Sequence, residues 1–199
     1  MKLAIINGLE DSSRDLSLIE NLLMKLKHSN YDIIEIKKNI ELSSCLACNG
    51  CWIKTPGKCS INDSGHFLSY IYNTYDIIIL ISYIYFGSYS PWIKSILERL
   101  VPNILPYFED RDGKMYHSLR NDKYPHCIFI GVDKFFSIQE ELDIFDRLTY
   151  ANIVNMTGRT KHHHLILDLE NTEEDAEKII IFLKEMMRQK SLVLMRGSI

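Results

Sequence analysis

The sequence predicts a doubly wound α/β fold, in which helices cover both faces of a five-stranded parallel sheet with the strand order 2-1-3-4-5. Short, almost uninterrupted apolar segments are typical of strands buried on both faces. Segments with apolar residues at helical spacing lie between them, and the two patterns alternate five times. Such alternation implies right-handed crossovers. We expect one domain over residues 1–199, a length that can bury about 70 % of the surface of the unfolded chain.

The first three predicted elements are a buried strand, a helix and a more exposed strand. Leu3 to Ile6 is a continuous apolar run and predicts strand one. A helix over 13–28 follows, because leucine and isoleucine recur at helical spacing and Ser12 or Ser13 can cap its N-terminus. Strand two, Tyr31 to Ile36, alternates in polarity, which indicates a position near the sheet edge.

The middle of the chain contains the centre of the predicted sheet. Asn62-Asp63-Ser64 caps a helix, and Ile77 to Ile81, the most hydrophobic run, then predicts strand three at the sheet centre. Pro91 suits the first position of the next helix, whose apolar residues run from Trp92 to Leu100. Residues 102 to 124 combine turn residues and charges, so we expect a long excursion that is functional or lies at an interface.

The last part of the chain adds two strands and two helices. Cys127 to Val132 predicts strand four, and a helix over 137–153 follows it. His164 to Asp168 predicts strand five, and the last helix runs from Thr172 to about Lys190. The tract 161–164 holds three consecutive histidines, which cannot converge on one metal ion from a strand because neighbouring side chains point to opposite faces. We interpret it as a strand entrance.

The charge pattern excludes nucleic acid as an expected partner. The net charge is −3, with 23 Lys and Arg residues against 26 Asp and Glu residues, and there is no long basic run. The N-terminal apolar run is too short for a signal peptide, and Ile77 to Ile81 is far too short to span a bilayer. We therefore expect a cytoplasmic protein without membrane association, whose partners are small molecules or other proteins.

Four of the five cysteines fall within fifteen residues, with the spacing C-x2-C-x2-C-x7-C. They are Cys45, Cys48, Cys51 and Cys59. Thiols stay reduced in the cytosol, where clustered cysteines more often indicate metal or redox chemistry than a structural disulfide. Three interpretations remain open: a [4Fe-4S] cluster, which needs four thiolates and often takes three of them from C-x2-C-x2-C; a tetrahedral zinc ion; and metal-free thiols that pack or exchange disulfides.

Three loops are expected to meet at one edge of the predicted sheet. Ligands of doubly wound sheets bind at the carboxyl ends of the strands, beside the point where the strand order reverses. In this chain the loops after strands one, three and four are residues 8–15, 82–90 and 131–136. A ligand site is therefore predicted where these loops converge.

Several motifs resemble those of one known protein family. The block Cys45 to Cys59, the Asn62-Asp63 after it, and Tyr85 to Ser90 leading into the helix Trp92 to Leu100 together resemble the NAD(P)H-dependent FMN reductase group of flavodoxin-like proteins. They are most similar to its cysteine-containing branch, which includes the iron-sulfur flavoproteins. The resemblance covers roughly residues 1–170. It implies a flavodoxin-like fold, FMN as cofactor, NAD(P)H as co-substrate, a homodimer or higher homo-oligomer, and electron transfer to a small-molecule or redox-protein acceptor.

The resemblance also implies which residues contact the flavin ring. In the family, the loop after strand three wraps the ring. Gly131, at the end of strand four in this chain, lies at the same predicted edge and is a further candidate for cofactor binding. Gly87 would permit close backbone approach, and an aromatic side chain could stack on the ring. The alternative is an aromatic loop that serves the core or a dimer interface. The implied ring contacts in this loop are Tyr83, Ile84, Tyr85, Phe86, Gly87, Ser88 and Tyr89.

The first loop departs from the family pattern. The family usually reads Asn-Gly-Ser-Pro-Arg and then Gly-Asn-Thr, a segment that holds the FMN phosphate at a helix N-terminus. Here three acids, Glu10, Asp11 and Asp15, would repel a phosphate. The remaining candidate donors are Ser12, Ser13, Arg14 and Ser17. The acidic loop suggests a rival function, a flavodoxin-like binding or regulatory subunit that has lost its flavin.

Overall fold

The structure, a computed structural model, describes residues 1–111, 113–157 and 164–196, with side chains up to residue 188. Strands and helices alternate as predicted, and a hairpin and two short helices are added to them. In chain order they are β1 (Lys2–Asn7), α1 (Ser13–Lys27), β2 (Asp32–Ile36), α2 (Gly50–Ile53), α3 (Gly65–Thr74), β3 (Ile77–Tyr83), α4 (Pro91–Arg99), a 3-10 helix (Val101–Asn103), β4 (Ile104–Arg111), β5 (Lys114–Leu119), β6 (His126–Val132), α5 (Gln139–Thr157), β7 (His164–Leu167) and α6 (Thr172–Arg196).

The main sheet has five parallel strands in the order β2-β1-β3-β6-β7. These are the five predicted strands in the predicted order 2-1-3-4-5, so the fold class is confirmed. β3 is central, and Ile79 is paired with Ile5 on one side and Ile128 on the other. Every residue of β3 and of β6 is buried, as their apolar sequences predict. Residues 161–163 of the histidine tract lie outside the described residues.

Helices cover both faces of the sheet. On one face, leucines of α1 and α6 such as Leu22 and Leu183 pack with Ile79 of β3. On the other face, α3, α4 and α5 pack against the alternate strand residues, with Ile96 and Phe145 among the fully buried side chains. The alternation of side chains along each strand explains why one strand supplies both cores. Within the described part of the chain, no helix is both long and apolar enough to span a membrane.

The predicted excursion at 102–124 contains an antiparallel hairpin, β4–β5, that the turn-rich sequence did not predict. Phe108 lies opposite His117, and Gly113 has a φ of 75° at the hairpin turn. The hairpin is attached to α5, because the His117 N–H donates to the Asn155 side chain at 3.1 Å. Four of the eight residues of β4 are exposed, so this strand lacks the continuous apolar run that reveals the sheet strands.

Candidate functional site

The carboxyl ends of β1, β3 and β6 lie side by side. The Gly8 N–H donates to Ile81 O at 2.9 Å, and the Ile84 N–H donates to Val132 O at 3.0 Å. A Cβ at Gly8 would lie 2.6 Å from both Ile81 O and Ile93 Cγ1, so only glycine lets the first loop pass so close to β3 and α4. The three loops predicted to converge therefore leave the sheet from one edge.

The loop after β3 folds into a tight two-residue turn. Tyr85 and Ser88 exchange both backbone hydrogen bonds, at 3.0 and 2.8 Å. The two residues between them have positive φ, 49° at Phe86 and 73° at Gly87, as in a type I′ turn. A bulky residue with positive φ is uncommon and stores strain. Phe86 is also 87 % exposed, so this turn presents an aromatic side chain on a strained backbone at the sheet edge.

Contacts on both sides fix this turn in place. An added Cβ at Gly87 would lie 2.7 Å from Ile144 Cβ and 2.9 Å from Glu141 O, so the turn packs directly on α5. At the far end of the loop, the Ser90 N–H donates to the Ser82 hydroxyl at 2.8 Å. Ser90 also caps α4, accepting from the Ile93 N–H at 3.4 Å. The loop is thus closed at its base and supported at its tip.

The first loop is held by a buried acid at the start of α1. Ser12 and Asp15 form a capping box: the Asp15 N–H donates to the Ser12 hydroxyl and the Ser12 N–H donates to the Asp15 carboxylate, at 3.3 and 3.0 Å. Asp15 is 2 % exposed, and the Tyr83 hydroxyl donates to it. Burial raises the pKa of Tyr83, and Asp15 raises it further. Asp15 therefore serves the fold internally, where the sequence suggested that it would repel a phosphate.

Glu10, another acid of this loop, is also paired. It accepts a hydrogen bond from the Tyr85 hydroxyl at 2.9 Å and lies 3.5 Å from the Lys134 ammonium. Burial and Glu10 together raise the pKa of Tyr85 to about 12. Lys134 also lies over the Tyr83 ring, 4.6 Å from its centroid, and the Tyr85 and Phe135 rings are 5.2 Å apart. One residue from each of the three loops, Glu10, Tyr85 and Lys134, therefore meets at this edge. Lys134 was not among the residues predicted for the site.

The predicted phosphate donors lie at the start of α1 on the exposed surface. Ser12, Ser13 and Arg14 are exposed, although Ser12 is occupied as the helix cap. Ser17 is half-buried and hydrogen-bonded to Thr172 at 2.9 Å. Ser13, Arg14 and Ser17 line an open groove of about 330 Å³ together with residues 169–172. Two of the four candidates, Ser13 and Arg14, are therefore free to meet a ligand.

Five of the predicted flavin contacts are buried instead, namely Tyr83, Ile84, Gly87, Tyr89 and Gly131. Ile84 is 1 % exposed and Tyr89 is 4 % exposed, with its ring stacked 5.1 Å from that of Phe129. Gly131 is buried, and a Cβ there would lie 2.8 Å from a Phe145 ring carbon. These buried residues support the loops from the core side. Of the aromatic candidates, Tyr85 and Phe86 are the two with exposed or half-buried rings, whereas Ser88 is half-buried in the turn.

The cysteine loop connects β2 to α3 and contains the one-turn helix α2. The four loop cysteines form no disulfide with one another; Cys48 is exposed, whereas Cys45, Cys51 and Cys59 are half-buried. Burial raises the pKa of Cys51, and the neighbouring Cys59, followed by Cys45 and Cys48, raises it further. The Gly50 N–H, followed by the Ser60 hydroxyl, lowers the pKa of Cys48. Among the residues that the structure describes, no three metal-binding side chains are close enough to hold one ion.

Two indole contacts join the cysteine loop to the hairpin. The Trp52 indole N–H donates to Ile104 O at 3.0 Å, and its ring lies 5.3 Å from that of His117. These contacts give Trp52 a packing role between the loop and the hairpin.

A buried ion pair at the base of the cysteine loop was not predicted. The Arg99 and Asp63 side chains are 1 % and 3 % exposed and are joined by two hydrogen bonds of 2.8 and 2.6 Å. The hydrogen bonds from Arg99 hold the pKa of Asp63 well below its usual range. One signal was available: Arg99 falls on the apolar phase of α4, three residues after Ile96.

Comparison with known proteins identifies the fold. No protein-family model matches the sequence, and no curated protein matches it either. Among solved structures, an NAD(P)H:quinone oxidoreductase from Methanothermobacter marburgensis is 10 % identical over 92 % of this chain and 94 % of its own, with a TM-score of 0.61.

Two further structures extend this comparison. An FMN-dependent NADH-azoreductase from Bacillus anthracis in complex with FMN is 12 % identical over 90 % of this chain and 96 % of its own, with a TM-score of 0.55. Oxidised flavodoxin 1 from Bacillus cereus is 14 % identical over 94 % of this chain and 98 % of its own, with a TM-score of 0.54. The chain therefore has the flavodoxin-like fold, as the sequence resemblance implied.

Proposed function

We propose that this chain is an FMN-dependent oxidoreductase that transfers electrons between NAD(P)H or an electron carrier and a small acceptor or redox protein. The observation that carries the proposal is the turn Tyr85 to Ser88, which presents an aromatic side chain and strained backbone at the edge where three loops meet. FMN would supply the redox chemistry, and the chain would bind and orient it. The names of the structural neighbours, a quinone oxidoreductase and an azoreductase, support the same class.

The residues at this edge fit FMN. Ser13 and Arg14 are exposed at the N-terminus of α1, where unpaired N–H groups and a positive charge favour a phosphate. The acids that argued against a phosphate are largely compensated, because Asp15 is buried in its capping box and Glu10 is paired with Lys134. Tyr85 and Phe86 would lie against the ring, and backbone N–H groups of the turn would meet its polar edge.

The charges of the first loop give a direct test of phosphate binding. Arg14→Gln is expected to weaken FMN binding by about tenfold, because a charge-assisted hydrogen bond to phosphate is lost. Glu10→Gln is expected to tighten it by roughly threefold, because a nearby negative charge is removed. Dissociation constants come from quenching of FMN fluorescence, and Arg147→Gln on α5 is the control. Equal affinities in wild type and all three variants would place the phosphate elsewhere.

We further propose that Cys45, Cys48, Cys51 and Cys59 hold a [4Fe-4S] cluster. The donor set has the number and kind of ligands that the cluster needs, because it consists of four free thiols on one loop. The thiols must draw closer together to share it. When bound, the cluster would exchange single electrons with a carrier. Zinc, or thiols without metal, are the alternatives.

A homodimer completes the proposal. The hairpin exposes three large apolar side chains, with Tyr107 at 69 %, Phe108 at 59 % and Met115 at 65 % exposure. Apolar side chains grouped on one projecting element are typical of interaction surfaces. The hairpin is therefore the surface through which we propose that two copies associate.

An absorption spectrum of anaerobically purified protein tests both cofactors. We expect flavin bands, before or after incubation with FMN, and iron and sulfide after reconstitution. A colourless protein that FMN cannot reconstitute would favour the second candidate, a flavodoxin-like binding or regulatory subunit, which the acidic Glu10 and Asp11 suggest. Bound zinc without iron, or no metal after reconstitution, would overturn the cluster.

A further inference from the structure

A cavity lies at the end of the sheet opposite the three loops. It has a volume of about 470 Å³ and opens between the last turn of α1, the segment that leads into β2, and the middle of α6. The Asp32 N–H donates to Met1 O at 2.9 Å, which joins the amino ends of β1 and β2 beside it. Cavities of this size take small molecules and are too small for a helix of a partner protein.

The inner wall of the cavity is apolar. Leu26, Ile180 and Leu183 line it, and all three are buried members of the core between the sheet, α1 and α6. Tyr31 lies half-buried beside them and packs against the same core. Burial raises the pKa of Tyr31, so its hydroxyl stays protonated and able to donate. This wall suits an apolar body of a ligand rather than a compact polar one.

The mouth of the cavity is basic. Two lysines and one histidine line it, with Lys184 and His28 exposed and Lys25 half-buried, and none of the described lining residues is acidic. Lys25 is paired at 3.0 Å with Glu177, which lies outside the lining. The basic side chains attract an anion, whereas the partial negative charge at the C-terminus of α1 opposes a second negative charge. A single carboxylate therefore fits this mouth better than a phosphate dianion.

We propose that this cavity is a second ligand site, which binds an amphipathic monocarboxylate of the medium-chain fatty acid type. Its hydrocarbon chain lies against Leu26, Ile180 and Leu183, and its carboxylate lies between Lys25 and Lys184. The site uses no residue of the flavin edge or of the cysteine loop. It therefore stands or falls independently of the proposed oxidoreductase function.

A titration of the full chain with decanoate, below its critical micelle concentration, tests the site. In ¹H–¹⁵N NMR spectra we expect saturable shifts of the amides of residues 25–31 and 180–184, with residues 83–89 unchanged. Octanoate, two methylenes shorter, is expected to bind roughly tenfold more weakly. The neutral 1-decanol is expected to bind about tenfold more weakly than decanoate, because it lacks the charge. Equal affinities for decanol and decanoate, or for octanoate and decanoate, would overturn the proposal.

A pair of lysine substitutions separates direct contact from general attraction. Lys184→Gln is expected to weaken decanoate binding about threefold, because an exposed charge pair is lost, and Lys184→Arg should restore it. Lys27→Gln is the matched control, since Lys27 is an exposed lysine in the same last turn of α1 that does not line the cavity. Equal losses in the two glutamine variants, no loss in either, or no saturable shifts in wild type would show that the cavity is only a packing gap.

Discussion

Gly87→Ala is expected to lower the free energy of unfolding by roughly 2–4 kcal/mol and to weaken FMN binding at least a hundredfold. Two costs combine. Alanine is strained at a φ of 73°, and its Cβ would meet Ile144 and the Glu141 carbonyl at 2.7 and 2.9 Å. The turn can relieve the clash only by moving away from α5, which displaces the residues proposed to contact the ring. Urea denaturation and FMN titration measure the two effects.

Gly113→Ala is the matched control for this substitution. Gly113 has nearly the same φ, 75°, yet no atom lies within 4 Å of an added Cβ. Its substitution therefore carries the backbone strain alone, about 1 kcal/mol, and should leave FMN binding unchanged. If Gly87→Ala lowered the free energy of unfolding no more than Gly113→Ala, the turn Tyr85 to Ser88 would not depend on its packing against α5.

Asp63→Asn is expected to lower the free energy of unfolding by roughly 3–5 kcal/mol at pH 7, because it leaves the buried Arg99 without a counter-charge. Both carboxylate oxygens accept from Arg99, and each also accepts a backbone N–H. An asparagine must turn its own NH₂ group toward one of these donor pairs. The variant therefore loses hydrogen bonds as well as charge.

The loss of unfolding free energy in Asp63→Asn should depend on pH. Arg99 holds the pKa of Asp63 below its unfolded value of about 3.9, so the pair stabilises the fold fully above that pH. As the pH falls below about 4, the unfolded state binds a proton first and the stabilisation is lost. The difference in free energy of unfolding between wild type and Asp63→Asn, measured by urea denaturation, should therefore become smaller from pH 7 to pH 2.

Glu98→Gln controls for a generic effect of removing an acid near the end of α4. Glu98 forms an exposed pair with Lys94, and its loss should cost no more than about 0.5 kcal/mol. Parallel pH profiles for wild type and Asp63→Asn would show that the Arg99 pair does not govern acid stability.

The sheet could be predicted because each of its strands carries its own signal. Ile77 to Ile81 is apolar without interruption, since β3 is covered on both faces, and a short run of this kind is typical of a central parallel strand. The hairpin was missed for the opposite reason: residues 107–110 of β4 are exposed, so no pattern separates them from a charged loop. Its strands pair with each other and attach to α5 through contacts that local sequence does not encode.

The convergence of the three loops was predictable, whereas the orientation of their side chains was not. The three loops were placed at the sheet edge by strand order alone, which topology determines. Which aromatic side chains face outward was not predictable, because the turn at Phe86 and Gly87 breaks the alternation that strand β3 establishes. Tyr89 consequently enters the core while Phe86 is exposed. The partner of Arg99 lies 36 positions away, a pairing that only the folded chain reveals.

Helix α4 sets the distance between the two proposed redox loops. Its first turn is capped by Ser90 at the end of the loop after β3, and its last residue, Arg99, closes the cysteine loop. Nine helical residues span about 13 Å, so the helix holds the two loops at a fixed separation. Each residue also turns the helix by about 100°, so an inserted residue would carry Arg99 away from Asp63 as well as lengthen the gap. The length of this helix is therefore constrained at both ends, by distance and by angle.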